Sequence, residues 1–392
     1  CIQVKRGRTG DPLFDNGNSV KMEALPQTPD LYAEWDDQSE EDAALDVQYR
    51  RYIFRKWAFI LVCIAVAFVV TGLAVTIGAY NIGFVEAYQF IWNHLCGVTY
   101  SDDIMSMKDH IVWNLRLPRI LVAIVAGAGL AVAGAVMQST LKNPMADSYT
   151  TGISSGAAFG ATLAIAYGSG IWGSDASVVL NAFVFSLVPT FIIVAIASSR
   201  KVSATSMILS GIAVMYLFNA LTTVLKLWAD PDDLAAVYKW QVGSLEGMEW
   251  ADLPIMFAVV LAGSVAVMLL SSRLNVLSVG DDNARALGIN ASHLRIVSLV
   301  IVSLMAAAIV SYTGVIGFVG LVSPHIVRLF IGSDNRFLIP ASAAFGAALL
   351  LISDVVGRTI ILPSVLQVGV VTAFLGAPLF LYLIIHQKKE AW

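Results

Sequence analysis

Residues 116–147 read RLPRILVAIVAGAGLAVAGAVMQSTLKNPMAD, and this stretch decides the class of fold. No charged residue lies between Arg119 and Lys142. That length is sufficient for one α-helix to cross the roughly 30 Å of hydrocarbon in a bilayer. Backbone polar groups in hydrocarbon must be paired within the segment itself, which a helix achieves. The stretch therefore predicts a transmembrane helix with two arginines at one end and an Asn-Pro turn at the other.

The rest of the chain follows the same pattern. Apolar residue types make up 57% of the 392 residues, and only 13% are charged. We therefore predict an all-α polytopic membrane protein with about ten transmembrane helices. Two of the spans are short and rich in glycine, which predicts tilted or broken helices. The predicted spans are 57–77, 118–138, 153–168, 177–198, 205–225, 252–271, 296–314, 315–331, 338–357 and 365–385.

The N-terminal segment has a different composition. Residues 1–48 are polar and acidic, with too few apolar residues to bury a core, which predicts a disordered tail. The transmembrane domain then covers residues 49–388. Short loops that face the cytoplasm hold an excess of Lys and Arg. Ten spans place both termini on one side, and the Lys and Arg residues of the loops concentrate on that side. We therefore expect both termini in the cytoplasm.

A possible internal repeat spaces five pairs of identical or similar residues 180 positions apart. The pairs begin with Gly134 and Gly314 and end with Gly152 and Gly332. They fall at the second and seventh spans, and an odd separation of five spans makes the two copies inverted. Inverted repeats are typical of transporters that alternate access between the two sides of a membrane.

Three arginines are candidates for a site on the outer face. Arg116 and Arg119 stand one helical turn apart, and Arg358 lies at the end of the ninth span. They could receive carboxylates from a partner protein, or they could simply anchor their helices at the level of the lipid headgroups. Asp354 lies four residues before Arg358 on the same predicted helix and is a natural ion-pair partner for it.

Two segments on the cytoplasmic face are also candidates. Asn143 and Pro144 break the helix that precedes them, and this bend either gates a pathway or only ends the helix. Residues 280–290 predict a small surface helix, with acidic residues in its first turn and Gly288 at its C-terminal cap. Such a helix either docks a partner or is a solvated connector.

Several kinds of chemistry are excluded. The chain has no P-loop motif and no Gly-Lys dipeptide, so it does not bind ATP in that way. The three cysteines are far apart and predict neither a disulfide framework nor a metal site. A net charge of −4 without a basic patch argues against nucleic acid as a partner. We expect no cofactor, no metal and no catalytic residue.

The motifs together resemble those of the FecCD-type permeases. The resemblance covers about residues 57–386, and the segments that carry it are, in order, RLPR at 116–119, GAVMQ at 134–138, NPMA at 143–146, ALG at 286–288, GFVGLVSPHIVR at 317–328 and GAP at 376–378. These permeases are the membrane subunits of prokaryotic ABC importers for ferric siderophores, haem and vitamin B12. The resemblance implies the type II importer fold with inverted repeats and a location in the plasma membrane.

The resemblance also implies partners. These are membrane lipid, a second permease subunit in a homodimer or heterodimer, cytoplasmic ABC ATPase subunits and an extracytoplasmic substrate-binding protein. By motif, Arg116, Arg119 and Arg358 would dock the binding protein, and Arg285, Ala286, Leu287 and Gly288 would form the helix that couples to the ATPase. The cytoplasmic gate would comprise Asn143, Pro144, Met145, Ser203, Ala204 and Thr205. Ala204 departs from members that have a hydroxyl residue there.

The predicted function is therefore the permease subunit of an ABC importer for a metal chelate, with ferric siderophore as the first candidate and cobalamin or haem as alternatives. ATP hydrolysis would take place on the partner subunits. An ion-coupled secondary transporter is the alternative from a different class, because an inverted repeat alone would also permit it.

Overall fold

The computed structural model describes residues 31–78, 80–168, 177–199, 203–361 and 364–386. Within these residues the regular structure is entirely helical, with a π-helical turn at Ile111–Arg116. The α-helices are α1 (Leu31–Thr76), α2 (Phe84–Leu95), α3 (Asp103–His110), α4 (Leu117–Leu141), α5 (Ile153–Tyr167), α6 (Ser177–Ser199), α7 (Ala204–Leu227), α8 (Pro231–Gln241), α9 (Leu253–Val279), α10 (Asp281–Ala286), α11 (Ala291–Thr313), α12 (Val319–Ile331), α13 (Asn335–Thr359) and α14 (Val368–His386).

The chain divides into two compact units, Cys1–Tyr52 and Ile53–Trp392. In the first unit, residues 31–52 are helical, and Arg50 pairs with Asp46 at 3.1 Å. The helix thus includes residues 31–48, which we expected to be disordered from their composition. For residues 1–30, which lie outside the described residues, the disordered tail stays a prediction.

The predicted spans correspond to helices of the structure. Seven helical stretches are long and apolar enough to cross a membrane, and three shorter apolar helices bring the described total to ten. Two of the short helices, Ile153–Tyr167 and Val319–Ile331, are the two spans that the sequence predicted to be irregular. The all-α polytopic class is confirmed.

Helix α4 is the centre of the second unit. Its apolar span is 83% buried, whereas the spans of α1 and α9 are 28% and 22% buried. It packs against α9, α11, α12 and α13. Because α4 is surrounded by protein, the groups attached to its two ends are held in fixed positions relative to each other.

Close packing around α4 depends on glycine. The backbone of α12 touches α4 so closely at Gly134 that a Cβ atom there would overlap the carbonyl oxygen of Gly320. At Gly127, a Cβ atom would overlap the carbonyl oxygen of Gly346 on α13. Small residues allow such approach between helices in membranes, where lipid contact gives no hydrophobic drive for helix association.

The order of the helices agrees with the repeat predicted from the sequence. The predicted register, which pairs residues 180 positions apart, is wrong. Helices α4 to α7 have 25, 15, 23 and 24 residues, and α11 to α14 have 23, 13, 25 and 19. Residues 180 positions apart are not equivalent, since Gly134 lies inside α4 and Gly314 caps the end of α11. Glycine and proline are common in membrane helices, so five matches arose without a common register.

The close contact at Gly134 gives a first prediction. The substitution Gly134→Ala should destabilise the protein by about 1–3 kcal/mol or more, because the α4 and α12 backbones must move apart. Alanine favours helix, so propensity alone predicts the opposite sign. The matched control is Gly317→Ala, where an added Cβ meets no atom within 4 Å. Thermal unfolding of the purified proteins in detergent would measure both, and a Gly134→Ala variant as stable as the control would contradict the packing.

Candidate functional site

The candidate residues gather at opposite ends of α4. Arg116 precedes the first residue of α4, and Lys142 follows its last residue. A helix of 25 residues is about 37 Å long at 1.5 Å per residue. We call the first end the arginine end, defined by Arg116, Arg119 and Arg358. We call the second the α10 end, defined by Lys142, Asp281 and Arg295.

Arg116 caps the C-terminus of α1. It is the last residue of the π-helical turn that joins α3 to α4. Its guanidinium donates hydrogen bonds to the carbonyl oxygens of Val75 at 2.6 Å, Thr76 at 2.9 Å and Tyr80 at 2.6 Å. The last carbonyl groups of a helix have no partner within the helix, and a cation is favourable beside them. Arg116 is accordingly buried, with 5% of its surface exposed.

Arg358 shares this task. Its Nη1 donates to the carbonyl oxygens of Ala74 at 3.2 Å and Ile77 at 3.1 Å. The remaining carbonyl of the last turn, that of Leu73, accepts from the Thr76 hydroxyl at 2.8 Å. Every terminal carbonyl of α1 thus has a donor, and two of the three arginines are engaged in providing them.

Asp354 joins the arginines into one cluster. It is 1% exposed. Its Oδ1 accepts from Arg119 Nε at 2.8 Å and lies 2.7 Å from Arg119 Nη2, and its Oδ2 lies 3.0 Å from Arg358 Nε. The predicted pairing of Asp354 with Arg358 is confirmed. The bond from Arg119 was missed, because the two residues are 235 positions apart and no local rule connects them.

The arginine cluster, comprising Arg116, Arg119, Asp354 and Arg358, carries three positive charges and one negative charge. The carbonyl oxygens of α1 offset part of the excess through their partial charges. Arg119 is the most accessible of the arginines, with 12% of its side chain exposed. The structure thus brings the predicted docking residues together and gives them a structural role. Their docking of a partner stays a prediction.

At the α10 end, the predicted bend after α4 is confirmed. Helix α4 ends at Leu141, and Lys142 takes the left-handed conformation, with φ of +51°. The side-chain oxygen of Asn143 then accepts from the backbone N–H of Met145 at 2.9 Å, which is the hydrogen bond of an Asx turn. The turn at Asn143, Pro144 and Met145 is therefore specified by its own residues. Its role as a gate stays a prediction.

The second gate segment begins α7. Ser203 is the N-cap, and its hydroxyl accepts from the backbone N–H of Ser206 at 3.2 Å, while Ala204 and Thr205 form the first turn. Two turns further along α7, a Cβ atom at Gly211 would lie 2.9 Å from the carbonyl oxygen of Thr150. The segment around Thr150, which follows the Asn-Pro turn, therefore packs against α7 at Gly211.

Helix α10 is the small helix predicted from the sequence. It ends in a Schellman motif, in which Gly288 N–H donates to the carbonyl of Arg285 at 2.9 Å and Ile289 N–H donates to that of Ala284 at 2.8 Å. Gly288 has φ of +74°, a conformation that favours glycine. Ala284 is buried, and the residues Arg285, Ala286, Leu287 and Gly288 are all exposed.

An ionic cluster that the sequence did not reveal holds the first residue of α10. Arg295 on α11 binds Asp281 through two hydrogen bonds, of 2.8 Å and 2.6 Å, and Lys142 reaches the same carboxylate at 2.8 Å. Arg295 Nε also donates to the carbonyl of Thr140 in the last turn of α4, at 3.2 Å. The hydrogen bonds from Arg295, with those from Lys142, hold the pKa of Asp281 well below its usual range. We call Lys142, Asp281 and Arg295 the Asp281 cluster.

The ten apolar helices among the described residues, with charged groups collected at the two ends of a central helix, define a polytopic membrane protein suited to transport. Residues 54–386 match the model of the FecCD transport family, and the chain belongs to that family.

The relatives agree with this assignment. The hemin transport system permease of Yersinia pestis is 36% identical, over 80% of this chain and 92% of its own length. The cobalamin import permease of Halobacterium salinarum is 40% identical, over 72% of this chain and 75% of its own. A solved metal-chelate-type ABC transporter in an inward-facing conformation has a TM-score of 0.73 at 29% identity, and the match covers 84% of this chain and 99% of that one.

The chain is therefore a permease subunit of an ABC importer. It is a multi-pass membrane protein and a transporter subunit. Family membership also implies ATPase partners and pairing with a second permease subunit.

Asp354 gives the second prediction. The substitution Asp354→Asn should lower the free energy of unfolding by about 3–5 kcal/mol, because two largely buried guanidinium groups lose their only carboxylate within the cluster. Glu246→Gln is the matched control, since Glu246 pairs with Lys239 in an exposed ion pair whose loss should change stability by about 1 kcal/mol or less. Thermal unfolding of both variants tests this, and equal melting temperatures would contradict the role of Asp354.

Proposed function

We propose that this chain forms half of the translocation pathway for a metal chelate, with a ferric siderophore as the first candidate. The names of two relatives, for hemin and for cobalamin, give the two alternative cargoes. These compounds are all bulky metal chelates, and such molecules suit a pathway between two large helical subunits. A substrate-binding protein outside the cell delivers the chelate.

The proposed orientation places the α10 end in the cytoplasm of a prokaryotic cell and the arginine end outside. Both termini are then cytoplasmic. The support is the excess of Lys and Arg in the loops at the α10 end, as expected for cytoplasmic loops.

The exposed side of α10 is the observation that carries the proposal. A six-residue helix is too short to be stable alone, yet here its N-terminus is tied by the Asp281 cluster and its C-terminus by a complete Schellman motif. Leu287 remains 68% exposed at its tip. We propose that Arg285, Ala286, Leu287 and Gly288 contact the ATPase subunit, which hydrolyses ATP while this chain changes conformation.

The cytoplasmic gate is proposed to comprise two segments at the α10 end. One is the turn at Asn143, Pro144 and Met145, and the other is the start of α7 at Ser203, Ala204 and Thr205. Each segment is held by a local hydrogen bond, in which Asn143 accepts from Met145 N–H and Ser203 accepts from Ser206 N–H, so each can move as a unit when the helices behind it shift.

Docking of the binding protein is proposed at the arginine cluster. The excess positive charge of the cluster attracts carboxylates, and such charges act mainly on the association rate and orientation. Arg119 contributes most to docking in this proposal, because it is the most exposed of the three arginines. Arg116 and Arg358 contribute charge while they cap α1.

The α10 proposal gives the third prediction. The substitution Leu287→Ala should reduce the amount of ATPase subunit that copurifies with the chain, by about tenfold or more, if Leu287 is an anchor in the centre of that interface. Ile361→Ala is the matched control, since Ile361 is a similarly exposed apolar residue that follows α13 at the arginine end. Copurification would be measured by quantitative blotting at equal permease levels. Undiminished ATPase in the Leu287→Ala sample would refute the contact.

The docking proposal gives the fourth prediction. Arg119→Gln removes one charge while Asp354 keeps its contact with Arg358, so the fold should persist. The association rate of the cognate binding protein should fall by about threefold to tenfold at low salt and by less at high salt. The reason is that Arg119→Gln weakens long-range electrostatic attraction, which salt screens. The control is Lys239→Gln, which removes an exposed charge beyond the cluster at the end of α8. Surface plasmon resonance would measure both, and equal rates for the two variants would exclude a specific role for Arg119.

A further inference from the structure

A glycine stands at each end of α10. Gly280 precedes the helix with φ of +156°, and Gly288 follows it with φ of +74°. An added Cβ at Gly280 would contact only Asn283, and one at Gly288 would contact nothing within 4 Å. Glycine changes its backbone angles at little steric cost. A displacement of α10 would therefore be absorbed by its two connectors unless non-covalent contacts carry it further.

The Asp281 cluster supplies such contacts. Arg295 is 3% exposed and holds Asp281 by two parallel hydrogen bonds, an arrangement that fixes direction as well as distance. The same guanidinium donates to the carbonyl of Thr140 on α4. One side chain on α11 thus connects the start of α10 to the last turn of the central helix.

Lys142 provides the second connection, directly beside the Asn-Pro turn. It is one of two non-glycine residues with positive φ among the described residues, and strained positions of this kind persist only where surrounding contacts hold them. Its ammonium lies 2.8 Å from Asp281. The residue immediately before Asn143 is therefore bonded to the first residue of α10.

We propose that Arg295 is a positioning residue that locks α10 to the end of α4, so that a displacement of α10 reaches the turn at Asn143, Pro144 and Met145. This inference rests on the proposed function, in which the ATPase displaces α10. Arg295 contacts neither nucleotide nor chelate in this scheme. It determines whether motion at the ATPase contact becomes motion at the gate.

A purely structural role for Arg295 predicts something different. If Arg295 only stabilised the fold, its loss would lower the melting temperature and leave the response of the turn to nucleotide intact in molecules that remain folded. If Arg295 transmits motion, its replacement abolishes the response of the turn to nucleotide while ATP hydrolysis continues. Evidence that motion passes through Arg295 requires a measured change in the coupling between the ATPase contact and the gate.

The test uses the whole transporter complex, purified through a tag on this chain. The reporter is Met145→Cys at a half-exposed position, Cys1 and the exposed Cys96 are changed to serine, and Cys63 is buried. The rate of maleimide modification is measured without nucleotide and after trapping with ATP and vanadate. We expect a rate change of about tenfold in the reporter complex and of less than about twofold after Arg295→Gln, with ATP hydrolysis retained.

Three further variants keep the inference falsifiable. Arg295→Lys keeps the charge without the forked geometry and should give an intermediate response. Lys142→Met removes the ion pair with Asp281 at a partly exposed position and should also reduce the response. It replaces Arg295→Gln in the test if the Arg295→Gln complex fails to assemble. Arg273→Gln, at an exposed site on α9, is the control and should leave the response unchanged.

The outcomes separate the inference from the proposed function. A full nucleotide response in the Arg295 and Lys142 variants would overturn the inference alone, whereas no response of the Met145→Cys reporter in the complex with Arg295 intact would overturn the inference and also count against the proposed gate. Absence of ATP hydrolysis by the unaltered complex would instead count against the proposed function.

Discussion

Backbone contact between α4 and its neighbours is the constraint on which the rest of the structure depends. At Gly127 and Gly134 the helix lies directly against the backbones of α13 and α12, with no room for a larger side chain at either position. In a bilayer, association of helices depends on such packing and on polar contacts between helices. The two ends of α4 are thereby fixed about 37 Å apart, and each end organises a different set of charged groups.

Both sets obey the rule that a buried charge needs a partner. At the arginine end, one carboxylate and the terminal carbonyls of α1 surround three guanidinium groups. At the α10 end, one carboxylate receives a guanidinium and an ammonium. Removing the buried carboxylate of Asp354 is far more unfavourable than losing an exposed ion pair, whereas at the α10 end the buried partner is Arg295. The difference lies in what they hold, since the first fixes the end of α1 and the second holds a short helix between two glycines.

Local rules were sufficient to predict part of this arrangement from the sequence. Uncharged length located the spans, Gly288 marked the end of α10, and the spacing of Asp354 and Arg358 gave their pairing. The contacts of Arg119 and Arg295 could not be predicted, because their partners lie 235 and 14 positions away and on other helices. The repeat is the opposite case. Its five matched residue pairs predicted a register of 180 positions, and the helix boundaries of the structure do not agree with that register. The lengths of the helices, which depend on membrane thickness, show the duplication more clearly than matches between individual residues do.

The central claim is that the pathway lies in this chain and the source of energy lies in its partners. The most direct measurement is uptake of an iron-55-labelled ferric siderophore by vesicles that contain the purified complex and its binding protein, with ATP supplied at the α10 end. Uptake should require ATP and should survive an uncoupler that dissipates the proton gradient. Uptake that proceeds without ATP and collapses with the uncoupler would contradict the claim and would identify an ion-coupled carrier.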